Sequence, residues 1–151
     1  EIRRFWDGPL ILSGAITRGE HILAAQAMGA DFAYMGSRFI ASNEANAAPA
    51  YKEMVTTSSA KDVVYSNLFT GVHGNYLRGS IENVGLDPND LPESGKDAMT
   101  FGSDRDEKKK AWKDIWGAGQ GVGNIDDIKP TGAIVDQLEA EYEGARARLS
   151  L

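Results

Sequence analysis

Two short apolar runs, each ended by glycine, mark the first forty residues of the chain. Residues 9–12 (PLIL) lead into Ser13-Gly14-Ala15, and residues 31–35 (DFAYM) lead into Gly36. Apolar runs of this length between glycine turns are typical of buried strands. We therefore predict two strands, each followed by a tight turn.

The segment between these runs predicts a short helix. Thr17 and Glu20 have the three-residue spacing of a capping box with Thr17 as the N-cap, and Gly29 is a typical helix stop. Strand, helix and strand in this order predict a βαβ unit. In such a unit the strands are parallel and the crossover is right-handed.

The central part of the chain is less regular. A helix is predicted over 49–57, where proline occupies the first position, and another over 75–84. Residues 62–69 fit a strand or a loop, and residues 104–116 predict a charged amphipathic helix.

The last part of the chain combines a glycine-rich segment with a helix. Residues 117–123 (GAGQGVG) predict a turn. After Thr131, the predicted N-cap, apolar residues recur every three or four positions, as expected for one buried stripe of a helix.

The two glycine turns are the first candidates for chemistry. Turns that follow successive parallel strands lie at the same edge of a sheet, where glycine lets an anion approach the backbone N–H groups. Ser37 adds a hydroxyl donor and Arg38 a positive charge to the second turn. Both turns also fit the simpler interpretation of ordinary connections in a βα unit.

The glycine-rich segment and the histidines carry weaker signals. Gln120 offers an amide among four glycines, but the segment lacks the Lys-Ser/Thr of a Walker loop and also fits a flexible connector. His73 is the obvious acid–base candidate, yet no partner carboxylate is evident beside it. We expect His21, in the first turn of a helix, to be structural or exposed.

Composition excludes several classes of protein. With 16 basic and 22 acidic side chains the formal net charge is −6, which argues against nucleic-acid and anionic-membrane partners. The sequence has no cysteine, so disulfide scaffolds, thiolate metal sites and cysteine nucleophiles are excluded. No apolar run reaches the roughly 18 residues of a membrane helix. We expect a cytoplasmic protein.

Five stretches together resemble the C-terminal half of nitronate monooxygenases, formerly called 2-nitropropane dioxygenases. The resemblance covers nearly the whole chain and depends on the order of the motifs, since many FMN barrels share the glycine turns alone. The stretches are LILSGAITRGEHILAAQAMGADFAYMGSRFIA (10–41), AYKEMV (50–55), YSNLFTGVHGNYLRGSI (65–81), WKDIWGAGQGVGNIDD (112–127) and IVDQLEAEYEGA (134–145).

This resemblance implies an α/β fold, the C-terminal part of an FMN-binding (β/α)8 (TIM) barrel with a helical insertion after the last strand. Residues 1–44 would supply strands seven and eight with their phosphate turns. Residues 45–118 would form the helical substrate domain, and residues 119–151 the return loop and closing barrel helix. Because the chain starts abruptly at Glu1, we interpret it as a piece of a longer protein.

The resemblance also implies the site. The backbone of the two turns would hold the FMN phosphate, through Ser13, Gly14 and Ala15 in the first and Gly36 and Ser37 in the second. Gln120 would contact the cofactor or substrate. Family members often have Gly-Gly and Gly-Thr in these turns, so Ala15 fits only if its φ stays negative.

The implied reaction is the oxidation of an alkyl nitronate by FMN and O₂, which yields a carbonyl compound and nitrite. The expected catalytic histidine belongs to the earlier part of the barrel, and relatives commonly have proline at the position of His73. We therefore assign no catalytic residue here and expect the chain alone to be inactive. Related FMN reductases, of the enoyl-acyl-carrier-protein or NADH:quinone type, and a non-catalytic fragment that pairs with itself or with a complementary half, remain alternatives.

Overall fold

The computed structural model describes residues 1–94 and 113–150 and has an α/β fold. Its strands are β1 (Ile11–Ser13), β2 (Phe32–Tyr34), β3 (Val63–Ser66) and β4 (Gly74–Leu77). Its α-helices are α1 (Gly19–Ala27), α2 (Ser37–Ile40), α3 (Pro49–Thr57), α4 (Arg78–Asn83) and α5 (Thr131–Leu149). The described residues also contain the 3-10 segments Ile2–Arg4, Ala60–Asp62 and Gln120–Asn124. No helix in these ranges is long and apolar enough to cross a membrane.

The predicted βαβ unit is confirmed. Strands β1 and β2 are parallel, and Ile11 is paired with Phe32 and Ser13 with Tyr34. One face of this pair packs on α1 through Leu12, with Ile16, Ala25 and Ala30 in the same cluster. The opposite face is open, because side chains alternate between the two faces of a strand and those of Ile11, Phe32 and Tyr34 are exposed.

Helix α5 packs along α1 and supplies its N-terminal cap. The predicted capping box of Thr17 and Glu20 is wrong, since α1 begins at Gly19 and no side chain of its own N-cap residue caps it. Instead the Glu141 carboxylate accepts a hydrogen bond from the Gly19 N–H at 2.8 Å. A cap from another helix satisfies the same free N–H groups.

A similar cap starts α5. Thr131 was predicted as the N-cap, but it is the first helical residue and follows Pro130. Both its N–H and its hydroxyl donate to the Glu44 carboxylate, at 2.9 and 2.8 Å. These bonds lower the pKa of Glu44, with the backbone N–H of Thr131 as the main cause.

The central segment contains an antiparallel hairpin. Its first strand, β3, lies within 62–69, where a strand or a loop was predicted, whereas its second strand, β4, was missed. The predicted helix over 75–84 is wrong at its start, because Asn75–Leu77 belong to β4 and the helix begins at Arg78. The backbone of β4 pairs with β3 and also with the segment at Gly117, where the Leu77 N–H donates to the Trp116 carbonyl at 2.7 Å. Helix α3 has the predicted bounds. Most of the helix predicted over 104–116 lies outside the described residues.

Candidate functional site

The first glycine turn leaves β1 through two residues with positive φ. Gly14 has φ 109° and Ala15 has φ 54°, so the condition that Ala15 keep a negative φ is not met. An alanine in the left-handed region is strained by its Cβ, whereas glycine is not. Ser13, Gly14 and Ala15 are all exposed, and a Cβ built on Gly14 would meet nothing within 4 Å. The backbone of this turn is therefore accessible from solvent.

The second turn connects β2 to α2. Gly36 is the N-cap residue of α2, at φ −109°, and Ser37 is its first helical residue. Space beside Gly36 is also open, since a built Cβ would have no neighbour within 4 Å. The backbone N–H groups of Ala15, Gly36 and Ser37 donate to no acceptor among the described residues. These N–H groups are available to an anion.

The glycine loop, residues 117–123, contacts both turns. The Gly119 N–H donates to the Ser37 hydroxyl oxygen at 2.8 Å, which ties the loop to the second turn. A Cβ built on Gly121 would lie 2.8 Å from the Ala15 carbonyl oxygen, so glycine is needed where the loop meets the first turn. Gln120 lies between these two contacts and is exposed. Three motifs that are separate in the sequence thus share one site.

The ends of this loop are anchored by packing and by a hydrogen bond, which argues against the interpretation as a flexible connector. Val122 is fully buried in the same core cluster as Ala118 and Leu77. On the other side the Tyr51 hydroxyl donates to the Gly117 carbonyl, and its ring stacks on Trp116 at 5.2 Å. Burial raises the pKa of Tyr51, which keeps this hydroxyl protonated as a donor.

Arg38 points away from the turn that it follows. Its almost fully buried guanidinium donates to the Asp127 carboxylate at 2.7 Å and to the Asp127 carbonyl at 2.9 Å. Lys129 lies 2.6 Å from the other oxygen of the same carboxylate. Burial alone would raise the pKa of Asp127, but the Lys129 hydrogen bond and the charges of both cations hold it below its usual range. The suggestion that Arg38 adds charge to the turn is therefore not supported.

The histidines have different surroundings. His73 is exposed and its ring stacks on Tyr65, with centroids 4.7 Å apart. His21 was expected to be structural or exposed, and its Nδ1 accepts the Thr17 N–H at 3.2 Å. This contact orders the residues that follow the first turn, and the four-residue spacing at a helix start was its signal in the sequence. No group of acidic or histidine side chains within the described ranges is arranged to hold a metal.

Comparisons with known proteins agree with each other. The nitronate monooxygenase family model matches residues 2–141. A probable nitronate monooxygenase of Staphylococcus saprophyticus is 33% identical over 63 residues, covering 42% of this chain and 18% of that protein. The nitronate monooxygenase npaC of Metarhizium robertsii is 38% identical over 74 residues, covering 48% of this chain and 19% of that protein.

Two solved structures share the fold of nearly the whole chain. FabK from Thermotoga maritima has a TM-score of 0.72 and 29% identity, covering 99% of this chain and 49% of that one. A nitroalkane oxidase from Streptomyces ansochromogenes has a TM-score of 0.73 and 29% identity, covering 98% of this chain and 43% of that one. The chain thus spans less than half the length of these structures, and its matches cover about a fifth of the curated relatives.

Proposed function

The chain belongs to the nitronate monooxygenase family, and from this premise we propose that it carries the phosphate side of an FMN site in a flavin oxidoreductase. The observation that carries the proposal is the meeting of the two glycine turns and the glycine loop. Each was predicted separately from the sequence, and the contacts of Gly119 and Gly121 join them.

The residues present fit a phosphate monoester. Three backbone N–H groups, those of Ala15, Gly36 and Ser37, have no acceptor within the described residues, and the space beside Gly14 and Gly36 is open. A phosphate accepts several hydrogen bonds and is stabilised by such N–H groups without a paired cation. The engagement of Arg38 with Asp127 is consistent with a site built mainly from backbone groups.

In this proposal each residue has a definite part. The N–H groups of the two turns hold the phosphate, Ser13 flanks it at the end of β1, and the Ser37 hydroxyl donates to one of its oxygens. Gln120 contacts the part of the cofactor beyond the phosphate, or the substrate. When bound, FMN supplies the electron chemistry, and the protein supplies its orientation and electrostatic surroundings.

The reaction proposed for the full-length enzyme is oxidation of an alkyl nitronate with O₂ to a carbonyl compound and nitrite. None of the proposed site residues is a catalytic base, and His73 stacks on Tyr65 instead of reaching a carboxylate. We expect this chain alone to show no nitronate-dependent oxygen uptake above that of free FMN. The boundaries at residues 44 and 118, a complementary N-terminal half, a homo-oligomer and a cytoplasmic location remain predictions.

A related FMN reductase is the second candidate. The similarity to FabK, with a TM-score of 0.72, is nearly as high as that to the nitroalkane oxidase, with 0.73. The phosphate site would be common to both candidates. Oxygen uptake with a nitronate, compared with NAD(P)H oxidation by the full-length protein, separates them.

The decisive experiment is a titration of the chain with FMN, followed by quenching of flavin fluorescence, with riboflavin as the control that lacks phosphate. We expect saturable binding of FMN and at least about tenfold weaker binding of riboflavin, since the bonds to the phosphate are charge-assisted. Equal affinity for the two flavins would refute the phosphate site.

A matched pair of variants sharpens this test. Gly36 has a negative φ and open space beside it, so Gly36→Asp and Gly36→Asn both fit the fold. The two side chains have nearly the same size, but only aspartate repels a phosphate. We expect Gly36→Asp to weaken FMN binding about tenfold more than Gly36→Asn does, and to leave riboflavin binding the same in both variants.

A further inference from the structure

The Ser37 hydroxyl accepts one hydrogen bond and donates none to the described residues. Its oxygen accepts the Gly119 N–H at 2.8 Å, and its O–H has no acceptor among the described residues. A serine hydroxyl has one proton and two lone pairs, so it donates outward without giving up the bond that it accepts. Ser37 thus belongs to the second glycine turn and also contacts the glycine loop.

Gln120 is placed by the residues on each side of it. Gly121 is buried against Ala15, and Ala118 is buried in the core. Between these fixed points, the hydrogen bond from Gly119 to Ser37 is the contact that ties the loop to the second turn. Gln120 follows Gly119 directly, so it lies next to this bond in the chain.

We propose that Ser37 is a positioning residue that couples phosphate binding to the position of the glycine loop at Gly119, the residue before Gln120. The inference rests on the proposed FMN site. Both bonds of the hydroxyl need the same side-chain rotamer, so a phosphate that accepts the O–H fixes the rotamer that also accepts the Gly119 N–H. The entropy cost of fixing this rotamer is then incurred once for both bonds, so each bond favours the other.

The coupling is reciprocal, as any linkage between two binding events must be. Phosphate binding tightens the glycine loop, and a tight loop strengthens phosphate binding. A purely local phosphate contact would lack this property, because its loss would weaken binding and leave the loop unchanged. The loop and the ligand must therefore be measured separately.

The first arm of the test needs no ligand. Amide hydrogen exchange at Gly119 is followed by NMR in the wild-type chain, Ser37→Ala and Ser37→Thr, with the Asn43 N–H, which donates to Lys129, as the reference amide. Loss of one hydrogen bond predicts an exchange rate at Gly119 about threefold to tenfold faster in Ser37→Ala. Ser37→Thr keeps the hydroxyl and restores the wild-type rate.

The second arm adds FMN, riboflavin or inorganic phosphate. We expect FMN and inorganic phosphate to slow exchange at Gly119 about twofold or more in the wild type and in Ser37→Thr, and not in Ser37→Ala. Riboflavin has no phosphate and is expected to leave the rate unchanged. Ser42→Ala is the matched control, since Ser42 bonds the Phe39 carbonyl and the Ala45 N–H and not the glycine loop.

The outcomes separate the two proposals. Unchanged exchange at Gly119 in Ser37→Ala, or equal slowing by FMN in Ser37→Ala and the wild type, overturns the coupling and leaves the FMN site standing. Failure of FMN to quench in the fluorescence titration, together with failure of inorganic phosphate to slow exchange at Gly119, overturns the FMN site, and the coupling with it. Exchange that responds to FMN and inorganic phosphate only when position 37 carries a hydroxyl supports both.

Discussion

Replacing Ala15 by glycine should stabilise the protein, although a change from alanine to glycine usually destabilises a protein. Ala15 has φ 54° and an exposed side chain, so its methyl group contributes strain and little packing. The left-handed conformation costs an L-residue about 1–2 kcal/mol. Glycine removes this strain but adds about 0.4–1 kcal/mol of unfolded-state entropy. The balance is a gain of about 0–1.6 kcal/mol in the free energy of unfolding, with a central value of about 0.8 kcal/mol.

The assay is urea unfolding at equilibrium, followed by tryptophan fluorescence. Ala47→Gly is the matched control, because Ala47 is only partly buried and also lies outside the helices and strands but does not have a positive φ. There glycine relieves no strain, and a loss of about 0.4–1 kcal/mol is expected. The two identical substitutions should therefore change the midpoint in opposite directions. If Ala15→Gly destabilises the protein as much as Ala47→Gly does, the strained turn is refuted.

Two further predictions concern the contact between α1 and α5. Gly19→Ala should destabilise the protein by about 3 kcal/mol, because the new Cβ would lie 2.1 Å from the Leu138 carbonyl oxygen. Gly144→Ala, at an open position in the interior of α5, should instead stabilise the protein by about 1 kcal/mol. Thermal unfolding compares the two variants. Glu141→Gln should reduce the acid sensitivity of stability. Burial opposes ionisation of Glu141, but hydrogen bonds from the Gly19 N–H and Gln137 lower its pKa. Its stabilising effect is thus complete above the ordinary glutamate pKa of about 4.3 and disappears as pH falls through the lowered folded-state value. Urea midpoints measured from pH 7 to pH 3 should fall less steeply in Glu141→Gln; equal slopes would contradict this assignment.

Sequence alone was enough where the signal lies within a few neighbouring residues. The apolar runs and their glycines predicted the parallel βαβ unit, and the proline at position 49 marked the start of α3. The resemblance on five stretches led to the family that the family model then matched over 2–141. Apolar periodicity also located α5. The strand, helix and proline signals are local, because strand alternation, helix periodicity and proline geometry act over one or two turns of chain. The family resemblance depends instead on the order of motifs along nearly the whole chain.

Tertiary structure decided everything that depends on a partner far along the chain. Asn75–Leu77 are strand and not helix because β3 and the Trp116–Ala118 backbone pair with them. The cap of α1 comes from Glu141, 122 residues away, and the partner of Arg38 is Asp127, 89 residues away. Ser37 meets Gly119 across 82 residues, so the glycine loop joined the site only in the folded chain. Each of these polar groups, whether an N–H, a buried cation or a hydroxyl, requires a bonding partner. The residues next to it in the sequence do not determine which distant residue the fold brings to it.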